Sequence, residues 1–354
     1  MSNEPNGTLS APAGVSAEPK PEPRPEAPAP PTAAQPSSGT RVVRWLSSSG
    51  LLLIIWALVV VVFALIEPST FLQTGTFRTI FNTPVQLIFL TLALVITFSV
   101  GEFDLSVAAV MGIGGTLVAF LNVNHGMNPW LATVIALVVG AGVGLGNGLL
   151  IVVLGVNPIV VTLGLGTFVT GVALWITDLN VINGLPASFS DVANHPVGGV
   201  SVSFVYGLVL TLVLAYLLKA TPLGLRMSFV GANREVARLA GIRVGRIRVG
   251  AYVASGLISS LGGVILAATL GGFNPSSSPN YLLPAFAAVF LGTAVIQPGK
   301  FNPIGAFVGI FFLQTGIVGL QLLGLTGYIE NLFYGGTLVV AVTISTMVQR
   351  RSAR

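Results

Sequence analysis

The sequence predicts an all-α polytopic membrane protein of about ten transmembrane helices, with both the N- and C-termini cytoplasmic. Three observations carry that prediction. Of 354 residues, 53% are hydrophobic and 8% charged, where soluble domains carry roughly 25% charged residues. The mean hydropathy is +0.89, so most of the surface must face lipid. The apolar residues fall into ten runs separated by polar punctuation, near the ~20 residues a helix needs to cross a bilayer. Finally, the 16 Lys and Arg are confined to a few short places, with none between Arg78 and Lys219 and seven from Lys219 to Arg248.

Residues 1–40 are a different material. They hold ten of the chain's 22 Pro, among Ala, Ser and Glu, as in "AEPKPEPRPEAPAPP". Without an apolar run to bury, this segment is expected to be a disordered cytoplasmic tail. It lacks the apolar stretch of a cleaved signal peptide. The membrane domain is expected over 41–354.

The predicted spans are 46–67, 83–101, 105–123, 130–154, 158–177, 201–219, 249–270, 282–297, 303–323 and 331–348. The eighth is short. It either recruits part of the preceding "GGFNPSSSPNY" or crosses only part of the bilayer. With the N-terminus inside, alternate loops place every basic residue except Arg78 on the cytoplasmic side, as the positive-inside rule requires. The outer loops then hold Glu67, Asp178, Asp191, Glu330 and both His. The sequence pI near 9.9 would suit nucleic acid in a soluble protein; here it marks topology, and no nucleic-acid partner is expected. The absence of Cys and the wide separation of His125 and His195 argue against thiol chemistry and against a metal site.

Between the second and third runs, "SVGEFDLSVAAVMG" brings Glu102 and Asp104 close to hydrocarbon. Ionised groups there are costly, so these carboxylates sit at the cytoplasmic boundary or are capped inside a broken helix. Asp104 reads as an N-cap for the helix that follows, or as a group that meets the solute. Glu102 reads as facing the inner aqueous side. Because i and i+2 do not share a helix face, the two acids are not expected to work as a pair.

In "VVGAGVGLGNGLL", Gly140, Gly144 and Gly148 recur every fourth residue, as do Gly142 and Gly146. Such rows let helices approach closely in lipid. Asn147, within the run, is polar at membrane depth and is either packed or on a translocation path. "NPIVVTLGLGTFVTG" from Asn157 and "NPIGAFVGIFFLQTG" from Asn302 share six of 15 positions, a hint of an internal repeat.

The loop from about 220 to 248 holds most of the positive charge and has helical grammar. Asn233 can cap a helix, Glu235 lies in its first turn, "REVARLA" favours helix, and Gly241 stops it with Ile242 closing behind. A helix over 234–240 follows, with Val236, Leu239 and Ala240 on one side. No Walker motif, nucleophile elbow or zinc signature occurs. The chain is therefore expected to be neither an enzyme nor the holder of a cofactor.

Gly101–Ser106 (GEFDLS) resembles the "G-I-D-L-S" signature of permease subunits of bacterial ATP-binding-cassette importers for ribose-type sugars, with branched-chain amino acid permeases as a sister group. "VGANREVARLAGI" (230–242) is similar to their cytoplasmic loop motif, and 154–174 and 281–295 also look like that family. The resemblance runs from about 45 to 350. Two departures stand out: Glu102, where the family more often has Gly, and "IQPGKFN" at 296–302.

The resemblance implies a homodimer or heterodimer of ten-span subunits in the bacterial inner membrane, ATPase subunits inside and an extracytoplasmic sugar-binding protein outside. It further implies that Asn233, Arg234, Glu235, Val236, Arg238, Leu239 and Gly241 couple the chain to the ATPase. Glu102, Asp104, Ser106 and Asn147 belong to a helix cap or the translocation path. The competing reading is an ion-coupled secondary carrier, which needs buried ionisable groups in mid-span; the third to tenth runs hold almost none.

Overall fold

The computed structural model describes residues 50–293, 299–325 and 327–352. The 1–40 tail, the start of the first run and residues 294–297 of the eighth lie outside the described residues. The elements are α1 Leu51–Ile66, α2 Thr74–Asn82, α3 Val85–Ser99, α4 Val107–Ala119, α5 Pro129–Val152, α6 Pro158–Ile176, α7 Ala187–Asn194, α8 Val202–Ala220, α9 Pro222–Ala232, α10 Arg234–Leu239, α11 Val244–Leu270, α12 Leu282–Gly292, α13 Pro303–Leu322 and α14 Tyr328–Ser352. A π turn, Phe120–Asn124, extends α4, and a 3₁₀ turn, Pro275–Tyr281, precedes α12. Seven helical stretches among the described residues are long and apolar enough to cross a membrane. They are α2–α3 together, α4 with its π turn, α5, α6, α8, α11 and α13.

The sequence dictates several helix starts through one local device. Asn128, Asn157 and Asn302 each precede Pro at the first helical position, and each side chain accepts the backbone N–H two or three residues on, at 2.9, 2.9 and 2.6 Å. The amide satisfies an orphan donor, and Pro sits where no N–H is needed. Thus the two similar segments share their helix-start grammar, but α13 is mostly buried while only about a quarter of α6 is.

The central element is α11, 27 residues long, packed against α3, α4 and α5. Glycine makes those contacts close. A Cβ on Gly144 would sit 2.2 Å from the Tyr252 carbonyl oxygen, and one on Gly263 would sit 1.9 Å from that of Met111. The predicted row Gly140, Gly144 and Gly148 is the buried face of α5; Gly142 faces open space. Gly144→Ala should therefore cost about 1–3 kcal/mol of thermal stability in detergent. Gly142→Ala should be neutral or stabilising, since Ala is the better helix former by about 1 kcal/mol. Equal behaviour of the two variants in a detergent melting assay would contradict this packing.

At one end of the bundle, β1 (Ile182–Asn183) pairs antiparallel with β4 (Gly272–Phe273), Ile182 opposite Phe273. A second small hairpin, β2 (Pro196–Val197) with β3 (Val200–Ser201), lies beside α7 in sequence, and Asn194 of α7 donates to the Thr269 carbonyl at 3.0 Å. The other end gathers the C-terminus of α3, the N-termini of α11 and α13, and the α9–α10 loop.

The structure corrects two boundaries. The charged loop is shorter than expected because α11 begins at Val244, not 249, carrying Arg246 and Arg248 in its first turns. The region 220–248 also contains an unpredicted helix, α9, whose start was written in Thr221–Pro222; the Thr221 hydroxyl accepts the Gly224 N–H at 3.4 Å.

Candidate functional site

The site begins where α3 stops. The Gly101 N–H bonds the Phe98 carbonyl and the Glu102 N–H the Thr97 carbonyl, both at 3.0 Å, with Gly101 at φ +73. This is a Schellman ending, which requires the left-handed conformation that glycine adopts without strain. It releases residues 102–106 from helical geometry. There Glu102 and Asp104 both turn toward α11.

Opposite them, α11 presents Arg248, Tyr252 and Ser255, spaced i, i+4, i+7 along one stripe. The Glu102 side chain is fully buried. Its Oε1 accepts from Arg234 Nη2 at 2.8 Å and from Arg248 Nε, and its Oε2 accepts from the Tyr252 hydroxyl at 3.1 Å. Glu102 therefore does not face the inner aqueous side: its Arg partners replace water. The same hydroxyl lies 3.2 Å from the Phe103 carbonyl.

Asp104 is equally buried. It is not the N-cap of α4, whose N-cap position is Ser106. Instead its Oδ1 accepts the Ser106 N–H at 3.0 Å and the Ser106 hydroxyl at 2.6 Å, and its Oδ2 accepts the Ser255 hydroxyl at 2.8 Å. Burial pushes the Asp104 carboxyl above its ordinary 3.8, against the pull of the Ser106 and Ser255 bonds. Asn147 joins the same cluster: its Nδ2 donates to the Ser106 hydroxyl at 2.8 Å. Asn147 is fully buried between packed helices, so in this conformation it lines no open path.

Helix α10 lies next to this network. Asn233 caps it as expected, its side chain accepting the Glu235 and Val236 N–H groups at 3.0 and 3.1 Å. Gly241, at φ +76, ends it, with the Ile242 N–H on the Ala237 carbonyl. The inner side is Ala237, fully buried; Val236 and Leu239 are 53% and 88% exposed. The Glu235–Arg238 pair, 3.6 Å apart on the surface, contributes little. Arg234 alone among the expected coupling residues turns inward, to the Gly101 carbonyl at 3.0 Å and to Glu102.

The α9–α10 junction presses on the α3 terminus, where a Cβ on Gly231 would fall 2.4 Å from the Ser99 carbonyl oxygen. Gly231→Val should push α10 away from the α3 terminus and lower thermal stability in detergent; a melting temperature matching the parent's would contradict that contact. Beside the junction a cavity of about 480 Å³ opens among Ser99, Gly101, Lys219, Ser228, Gly231 and Lys300.

The sequence reading missed Arg248, Tyr252 and Ser255, although three polar residues at helical spacing in an apolar run were a legible signal. It also missed that Leu223, Leu225 and Phe229 of α9 are exposed. No cluster of three potential metal ligands occurs among the described residues.

Residues 77–342 match the family model described as the permease component of the branched-chain amino acid transport system. The ribose import permease of Bacillus subtilis is 32% identical over 246 residues, 69% of this chain and 76% of its own length. The D-allose transport system permease of Escherichia coli is 27% identical, over 84% of this chain and 91% of its own. The autoinducer 2 import system permease of Salmonella paratyphi B is 32% identical, over 68% and 74%. No solved structure matches the chain.

Proposed function

The chain belongs to this family of importer permease components, and from that premise we propose that it forms the path for a monosaccharide or related polar solute across the bacterial inner membrane. It is the transmembrane subunit of an ATP-binding-cassette importer and not an enzyme; ATP is hydrolysed on separate subunits. The proposed assembly pairs two permease subunits, with ATPases at the α10 end and an extracytoplasmic sugar-binding protein at the end bearing α7 and the small hairpins. The names of the relatives, ribose, allose and autoinducer 2 permeases, support the solute class.

The observation that carries the ATPase reading is α10. It is a capped helix whose apolar Val236 and Leu239 face outward while Ala237 and Arg234 fix it to the bundle. A topology anchor needs charge, not an exposed apolar pair on a rigid mount. An ion-coupled carrier has no use for such a surface.

Ten spans with both termini inside fit the basic residues, counting α1, α14 and the short eighth run, of which the 3₁₀ turn and the 11 residues of α12 are described, beside the seven long stretches. Single cysteines at Asn194 and Ala232, both exposed in a chain free of cysteine, should then react with impermeant maleimide from opposite sides. Labelling of both in intact cells would overturn the ten-span model. For the solute, deletion of the gene should abolish high-affinity uptake of radiolabelled D-ribose or D-allose, and plasmid expression should restore it. Unchanged uptake of both sugars would remove the monosaccharide assignment.

A further inference from the structure

We propose that Glu102 is a positioning residue for transport: it joins the docking helix α10 to the break between α3 and α4 and to α11, so that displacement of α10 is carried into the membrane bundle. This inference rests on the reading of α10 as the ATPase-docking element. Its basis is a single buried carboxylate shared by three separate segments. Arg234 comes from the first residue of α10, Arg248 and Tyr252 come from α11, and Glu102 itself belongs to the non-helical link.

Burying a carboxylate costs several kcal/mol unless charge and hydrogen bonds replace water, and a pair broken on one side leaves that cost uncompensated. The three groups on Glu102 are therefore held to it more tightly than surface ion pairs would be. Arg234 adds a second point of attachment on the Gly101 carbonyl, 3.0 Å away. Two guanidinium groups on one carboxylate also leave the joint net positive.

The surroundings are built for movement of this joint as one piece. Both chain segments that meet there are fixed locally, one by the Schellman ending at Gly101 and the other by the Asn233 cap and the Gly241 stop. The cavity among Lys219, Ser228 and Lys300 leaves space beside α9, between the end of α8 and the start of α13. A shift of α10 can carry the end of α9 into that space, while the ion pairs pull on Glu102. From Glu102 the strain passes along the same stripe of α11 to Ser255 and Asp104, and through Ser106 to Asn147 of α5.

The test uses the full importer, permease with its ATPase and binding protein, in proteoliposomes, scoring radiolabelled sugar taken up per ATP hydrolysed. The variants are Glu102→Gln, Arg234→Gln and the double variant. None alters the outward face of α10, so all should still co-purify the ATPase. The expected result is a fall of about tenfold in sugar per ATP for each single variant. The double variant should be no worse than the poorer single, because contacting partners are not additive. Arg234 has 43% of its side chain exposed, so Arg234→Gln should fold even if Glu102→Gln does not. Parental sugar-per-ATP in Arg234→Gln overturns the proposal. So does a loss that merely tracks the amount of folded permease, or a double variant whose defect is the product of the singles. Failure of the parent permease to retain any ATPase would instead overturn the docking reading, and the joint with it.

Discussion

Val236→Glu or Leu239→Glu is expected to leave expression and detergent stability near the parent's, yet to abolish co-purification of the ATPase and all ATP-dependent uptake. Both side chains stand out from a helix whose opposite face, Ala237, is fully buried, so neither contributes to the bundle's own packing. A docking interface concentrates its energy in a few central apolar residues. A carboxylate forced into such a desolvated contact without a partner costs several kcal/mol. At about 1.4 kcal/mol per tenfold, that removes most of the bound complex. Arg238, on the rim and 69% exposed in its side chain, should behave differently. Arg238→Ala should weaken association mildly and reduce its dependence on salt, because rim charges act mainly through steering. Normal ATPase binding in both Glu variants would reduce α10 to a topology signal.

The second large effect is expected at Asp104. Its two oxygens take one backbone N–H and two hydroxyls, all out of water. Asp104→Leu strands those donors and inserts an apolar branch against Ser106 and Ser255. A buried unsatisfied donor costs about 1–3 kcal/mol, so about 2–5 kcal/mol should be lost once the hydroxyls have turned to other acceptors. Asp104→Asn keeps an acceptor, and the Ser255 hydroxyl can reverse to receive the new N–H; it should fold.

The pH dependence follows from the raised carboxyl. The folded state keeps the proton on Asp104 at pH values where the unfolded chain, near 3.8, has lost it. Asp104 therefore makes the fold more stable as pH falls through the window above 3.8, and this contribution is lost as pH rises through the folded value. Asp104→Asn should flatten that part of the profile. Thermal unfolding of the detergent-solubilised protein across pH measures both effects. A Leu variant as stable as the parent would contradict the buried network.

Much of this architecture is legible in local sequence. Asn233, Gly241 and the Asn–Pro pairs act within four residues of themselves, so their roles follow from spacing alone. One glycine row of α5, Gly140, Gly144 and Gly148, lies in close contact as its period of four suggests, but the other does not: Gly142 meets open space and Gly146 only the tip of Leu165, because periodicity defines a face without saying which face is covered. The partners of Glu102 do not read this way. Arg248 and Tyr252 lie 146 and 150 positions away, and nothing near Glu102 in sequence says whether it meets water or two guanidinium groups. The placement of Asp104 as an N-cap erred through a local cause. The helix starts two residues later, at a break set by Gly101, and an Asp two residues before Ser106 bonds that residue's N–H instead of the first turn's. Arg248, Tyr252 and Ser255 formed a polar stripe that could have been found from helical spacing, but its target could not.

Whether a separate ATPase drives this permease from its α10 face is decided by reconstitution. Proteoliposomes holding the permease, the ATPase subunit and the sugar-binding protein are loaded with radiolabelled D-ribose or D-allose on the binding-protein side and supplied with ATP on the α10 side. Accumulation is expected to require all three proteins and ATP, to persist when ionophores collapse H⁺ and Na⁺ gradients, and to vanish with Leu239→Glu. Accumulation by the permease alone, driven by an imposed ion gradient and indifferent to ATP, would contradict ATPase drive.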